Sequence, residues 1–255
     1  MTAVLQIGNR TITTEEIVPM LAGYQMLPQL LFEIFIDQAI IPFTCTPEEA
    51  ESACQQFCEQ NRLTTQTELR AWLEHSGMTL EQLQTFATRK LRIEKFKQAT
   101  WGHKLESYFL SRKSQLDKVI YSLIQIQDVA AQEIYFRIQE EEATFASLAR
   151  EYSQGAEAQN GGLIGPVELS SCHPTLAQML CVSQPGQLWA PTPIGEWLVI
   201  VRLEKFIPAQ LDNSMRQRLL TELFAAWLSE QINQLGSVCP WHVNPMLTSQ
   251  PVLQT

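Results

Sequence analysis

The stretch that decides the fold is Phe145–Gly165, FASLAREYSQGAEAQNGGLIG. Phe145, Leu148 and Ala149 form an apolar helix face that ends on the pair Tyr152-Ser153. A short polar loop follows, and then come Gly161-Gly162 and Gly165. Glycines grouped in this way mark a chain that turns sharply or passes close to other backbone.

Upstream, Lys118 to Ile126 reads KVIYSLIQI, rich in β-branched and aromatic residues, and is expected to be a buried strand. Asp128 is expected to cap a helix that reaches the Glu140-Glu141-Glu142 run. Downstream, a short helix is expected around Leu176 to Leu180 and a last strand at Trp197 to Val201. The elements then run β-α-α-β-α-β.

The first hundred residues read differently. Val4 to Thr13 alternates around Gly8-Asn9, a strand or hairpin, and enters a helix through Thr13-Thr14-Glu15-Glu16. Thr46-Pro47-Glu48-Glu49, Thr65-Gln66-Thr67-Glu68 and Thr79-Leu80-Glu81-Gln82 repeat that capping logic. Gly77 stops the third helix, and the fourth is expected to continue as a stem to about Ser111. Between these starts, Gln29, Glu33 and Asp37 recur on one side of a helix, with Leu30, Leu31, Ile34, Phe35 and Ile41 on the other. That apolar face serves as core or as a groove for another chain. Leu219, Leu220, Leu223, Phe224, Trp227, Leu228 and Ile232 give one more apolar helix, stopped by Gly236. It needs a partner, either the N-terminal helices or a second copy in a homodimer. The fold class is therefore α+β. The expected domains are a mainly helical one over 1–114, a small sheet with helices over 115–208, a returning helix over 209–236 and a loose tail over 237–255.

A net charge of −9 over 255 residues argues against nucleic acid and anionic lipid as partners. Charge is also uneven: residues 11–61 hold eight acids and no Lys or Arg, while 89–118 hold nine bases. The two blocks face each other or water, or the basic block faces an acidic client. The opening MTAVLQIGNR lacks a basic region followed by an apolar one, and the apolar run Leu27 to Ile41 is too short to span a bilayer. A cytoplasmic protein with reduced thiols is the expectation. Cys54 and Cys58 lie one helical turn apart, which suits two small core residues or, with a third ligand, a metal; no metal site is assigned. His75, His103 and His242 lack ligand spacing. No cofactor is expected, because no lysine follows Gly161-Gly162 and no GxGxxG is present. Cys172-His173 are adjacent, and neighbours on an extended chain point apart, so a turn before a helix is the preferred reading over a nucleophile.

Phe145, Leu148, Ala149, Tyr152, Ser153, Gly161, Gly162 and Gly165 together resemble the signature of parvulin-type peptidyl-prolyl isomerases. The flanking helices resemble the layout of SurA-type chaperones, with a helical chaperone-like N-terminal domain that a C-terminal helix completes. The resemblance implies a polar centre of two histidines, on the first and last strands, and a Cys or Asp in the polar loop. Here it places Ser122, Trp197 and Gly155 at those catalytic positions, so all three have lost the usual side chain. It further implies a proline grip from Leu169, Leu176 and Met179. The implied activity is a foldase or chaperone that binds proline-containing or unfolded client segments, with weak or lost isomerase turnover. The alternative is an active isomerase that assists a dedicated client, a secretion substrate or a nitrogenase-type component. The client segment is expected between the apolar face at 30–41 and the proline grip.

Overall fold

A computed structural model describes residues 3–127 and 130–234; Asp128, Gly236, Cys239, His242 and the tail lie outside the described residues. The chain divides into two compact units, one of Met1–Leu105 with Arg216–Thr255 and one of Glu106–Met215.

The first unit begins with the antiparallel hairpin β1 (Ala3–Ile7) and β2 (Arg10–Thr13). Thr13 then starts α1 (Thr14–Gly23), where the Glu16 carboxylate accepts from the Thr13 backbone N–H at 2.8 Å. The same box starts α3 (Pro47–Gln60) at Thr46, α4 (Gln66–Ser76) at Thr65 and α5 (Leu80–Trp101) at Thr79. In each, the Glu or Gln side chain accepts from the threonine N–H, and at Thr46, Thr65 and Thr79 the threonine oxygen accepts from the amide three residues on, so that amides the first turn leaves unbonded are satisfied. Gly77 closes α4 in the left-handed region.

α2 (Leu27–Ile40) packs differently from its apparent amphipathic pattern. Its core row is Phe32, Phe35, Ile36 and Ile40, while Leu30 and Ile34 stay 40% and 43% exposed. The reason is Arg89 of α5, which bonds Asp37 at 2.7 Å and Glu33 at 2.6 Å and so draws the acidic row toward α5. Lys95 of the same helix pairs with Glu49. The basic block on α5 therefore neutralises part of the acidic block inside one unit.

α10 (Asn213–Gln234) gives most of its length to this unit. Phe224, Trp227 and Leu228 join Ile36, Ile40 and Phe96 in one core, with Phe43 and Trp101 beside them. Phe96 touches four of these rings at centroid distances of 5.1 to 6.0 Å, three of them edge to face. The C-terminal helix thus packs back on the N-terminal helices.

α5 does not run on to Ser111. At Gly102 it tightens into a single turn of 3-10 helix, Gly102–Lys104, and α6 (Leu105–Leu116) follows. The second unit then holds β3 (Lys118–Ile126), α7 (Ala131–Gln139), α8 (Phe145–Tyr152), β4 (Leu163–Glu168), α9 (Pro174–Val182), β5 (Leu188–Ile194) and β6 (Trp197–Ile207). The strands form one antiparallel sheet in the order β4-β3-β6-β5. β5 adds a strand to the expected order. It contains Pro191 and Pro193, which an edge strand tolerates because one side of its backbone needs no ladder bonds.

The sheet separates two cores. Tyr121 and Leu123 of β3 pack with α9 on one face, and Ile124 and Ile126 pack with α7 and α8 on the other. Side chains of a strand alternate between faces, so register decides which chemistry meets which core. Asp117 pins the entry to β3: its Oδ1 accepts from Lys113 at 3.0 Å and from the Ala209 backbone N–H at 2.7 Å. Its carbonyl accepts from the Leu169 N–H at 2.9 Å, which ties the segment after β4 to the same strand.

Candidate functional site

The glycine-rich loop is shaped by close approach. Gly162 has φ +82, and a Cβ there would stand 2.7 Å from the Leu123 carbonyl oxygen and 3.0 Å from both Ala149 Cβ and the Phe145 ring. Only glycine lets the loop pass between β3 and α8. The Ser153 hydroxyl accepts from the Gln125 backbone N–H at 3.0 Å and donates to the Glu157 carboxylate at 2.5 Å. The Gln154 N–H donates to the Gln125 carbonyl at 2.9 Å. The loop is thus stitched to the last part of β3.

Leu169, Leu176 and Met179 come together on one sheet face, where they are 4%, 6% and 7% exposed. Trp197, Ile194, Trp189 and Cys172 pack on this cluster while keeping part of their surface in water. Leu169, Leu176 and Met179 are core, and the half-buried residues at its margin form a rim that meets water. The Trp189 indole N–H donates to the Ser183 hydroxyl at 2.7 Å, which fixes one side of the rim.

Of the three family positions, Trp197 lies at this cluster and Ser122 does not. Ser122 is buried on the opposite face, where its hydroxyl donates to Glu204 at 2.6 Å; the same carboxylate oxygen takes the Arg202 Nε–H at 2.8 Å. The neighbouring Tyr121 occupies the cluster face, 6% exposed, with its hydroxyl in hydrogen-bond reach of the Cys172 thiol. Burial pushes the Tyr121 phenol well above its usual value, and the sulfur and the Glu157 charge push the same way. Burial likewise raises the Cys172 thiol, while the bond from Tyr121 works against that rise. Both groups are neutral near pH 7 and not nucleophiles, and the Cys172 thiol donates to the Glu168 carbonyl at 3.7 Å. The signal for Tyr121 lay in the period of β3, whose odd positions, Val119, Tyr121 and Leu123, carry the cluster face.

Gly155 sits in the loop with φ −99 and ψ 174, an extended backbone open to any residue. A Cβ built on it would overlap the Glu157 carboxylate and the Gln125 side-chain amide. His173 is occupied away from the cluster, where its Nδ1 accepts from the Thr175 N–H at 3.3 Å as the cap of α9. Among the described residues no three His, Cys, Asp or Glu side chains are grouped to hold a metal.

The rotamase family, described as a PPIC-type PPIASE domain, matches residues 125–205. No protein of curated function matches the chain by sequence. Among solved structures, the peptidylprolyl isomerase PrsA from Bacillus cereus is similar at 14% identity, over 95% of each chain, with a TM-score of 0.50. PrsA from Bacillus anthracis is similar at 17% identity over 81% of this chain and 97% of that one, with a TM-score of 0.45. A SurA-like chaperone of Campylobacter jejuni is similar at 16% identity over 92% and 95%, with a TM-score of 0.37. The first of these likenesses shows a shared fold. Residues 125–205, with the Gly161-Gly162 loop, the α9 segment and the antiparallel sheet, belong to the PPIC-type, or parvulin, peptidyl-prolyl isomerase domains.

Proposed function

We propose that this protein is a foldase or chaperone of the peptidyl-prolyl isomerase family that grips proline-containing segments of unfolded clients and turns them over weakly. Rotating an X-Pro bond means crossing a barrier of roughly 18 to 20 kcal/mol, which an enzyme lowers by favouring the twisted amide over the planar one. Dipoles aimed at the amide do most of that, and removing one commonly costs about 2.7 to 4 kcal/mol of transition-state stabilisation. An indole at Trp197, bare backbone at Gly155 and a Ser122 turned to the other face leave few such dipoles.

The observation that carries the reading is the rim. Trp197 packs on the cluster of Leu169, Leu176 and Met179 and is itself only half-buried. Proline-rich segments dock on aromatic surfaces because the pre-set pyrrolidine ring loses little entropy on binding. Grip therefore survives where turnover declines. The exposed row Leu30, Ile34 and Ile41 on and just after α2 supports a second contact for apolar client sequence, and a homodimer through that row is the competing occupant that sedimentation tests. Free Cys45, Cys54, Cys58, Cys172 and Cys181 support a reducing compartment, so a cytoplasmic location belongs to the proposal, and cell fractionation checks it.

Two assays on one X-Pro peptide test the function. In a protease-coupled assay the chain should accelerate isomerisation slightly or not at all, while calorimetry should show saturable binding. Trp197→Ala should weaken that binding about tenfold and Trp197→Phe should keep most of it. Leu176→Ala leaves a cavity in the buried cluster beneath the rim and should weaken binding together with stability. Absent binding in the folded chain overturns the proposal; rapid turnover favours the alternative of an active isomerase.

A further inference from the structure

We infer that Glu157 supplies from two residues along the chain the loop acid that Gly155 lacks, holding its carboxylate against the amide of a proline segment gripped at the Trp197 rim. The inference rests on the proposed peptide grip and deepens it by naming the group behind whatever turnover remains.

Three observations converge. First, the Glu157 carboxylate fills the space that a Gly155 side chain would take, since a Cβ built there meets that carboxylate and the Gln125 amide. The backbone at Gly155 is extended and open to any residue, so nothing in its conformation calls for glycine; the volume in front of it is simply occupied. Second, the carboxylate is held in place. Ser153 donates to it at 2.5 Å, and Ser153 is itself fixed by the Gln125 backbone N–H. Third, the loop meets the correct face of the sheet. Gln125 shares the odd positions of β3 with Tyr121 and Leu123, and it pairs with Val199, two residues beyond Trp197. The Glu157 carboxylate and the Gln125 side chain meet at the same point, in front of Gly155.

The chemistry needs no covalent step. A planar amide draws part of its stability from resonance that places negative charge on oxygen and positive charge on nitrogen, and twisting the bond withdraws both. A carboxylate beside the carbonyl oxygen disfavours the planar form and leaves the twisted one nearly untouched. It therefore lowers the barrier by raising the ground state relative to the transition state. Tyr121 and Cys172, both neutral, add no charge that would cancel the effect. Because Glu157 is only half buried, solvent screens part of this field, and the acceleration is modest.

The test uses exchange NMR on the whole chain with an Ala-Ala-Pro-Phe peptide, reading the cis-trans exchange rate and the dissociation constant in the same samples. Glu157→Gln keeps an acceptor for Ser153 and should lower the exchange rate of the bound peptide about tenfold while the dissociation constant falls by up to the same factor, because the planar ground state is no longer repelled. In a Glu157→Ala background, which clears the Glu157 side chain from the volume before Gly155, Gly155→Asp returns a carboxylate to the loop and should regain the excess. Equal exchange rates for the parent chain and Glu157→Gln, or a bound peptide that exchanges no faster than in buffer, overturn the inference while the grip stands. A peptide that fails to bind overturns the grip, and the inference falls with it.

Discussion

Tyr121 carries a pH signature that separates its buried setting from that of an ordinary phenol. Its folded-state ionisation lies above the unfolded value of about 10, so the neutral form is the one that folding favours. The stability it contributes is complete below that value and is lost as pH rises through the folded one. Denaturant melts should therefore show the parent chain losing stability above about pH 10 faster than Tyr121→Phe, and parallel curves would contradict the buried placement. A second prediction concerns Gly162. Alanine there adds strain at a positive φ and pushes into the Leu123 carbonyl, so Gly162→Ala should destabilise the second unit by roughly 2 kcal/mol or more in a urea titration. The residue scale is also where sequence ran short. Tyr121 and Ser122 are neighbours, and a shift of one position carries a side chain through the sheet. The pattern around Gly161-Gly162 located the strand; only its pairing told which of the two residues faces the apolar cluster. Glu157 was hidden for a different reason, because linear order does not say that a side chain two residues along folds back over a glycine.

Helix starts were the most legible elements. Threonine followed three positions later by Glu or Gln satisfies specific amides by local geometry, and the boxes at Thr13, Thr46, Thr65 and Thr79 are each closed by bonds within four residues, with Lys95 adding an ion pair to Glu49 of the second. Thr79→Ala should cost about 1 kcal/mol in a thermal or urea melt of the first unit. β3 was legible for the complementary reason: a run of β-branched and aromatic residues with few polar ones suits a central strand buried on both faces. β5 was not, because Pro191 and Pro193 argue against a strand until its place at the sheet edge is known. The apolar face of α2 misled in the same manner. Periodicity shows that a face exists, but the guanidinium of Arg89, more than fifty residues away in sequence, decides how the helix turns. Arg89→Ala should release that constraint and lower the stability of the first unit by about 1 kcal/mol, the size expected for a partly exposed pair.

At the scale of the molecule, the chain leaves the first unit at Leu105 and re-enters it at Arg216. A chain that ends at residue 212 would lose Phe224, Trp227 and Leu228 from the aromatic core, so the first unit should unfold while the second retains its sheet. Circular dichroism together with hydrogen exchange on the truncated chain checks this, and protected amides throughout α2 and α5 would contradict it. Binding and turnover together bear most directly on the proposed division of labour. A titration of the Ala-Ala-Pro-Phe peptide, followed at the indole N–H signals of Trp197 and Trp189 while the cis-trans exchange of the same peptide is recorded, reads both at once. Grip with feeble catalysis requires a saturable shift at Trp197 with only a small rise in exchange. An unmoved Trp197 signal, or exchange as fast as that of an isomerase with its histidines intact, would contradict it.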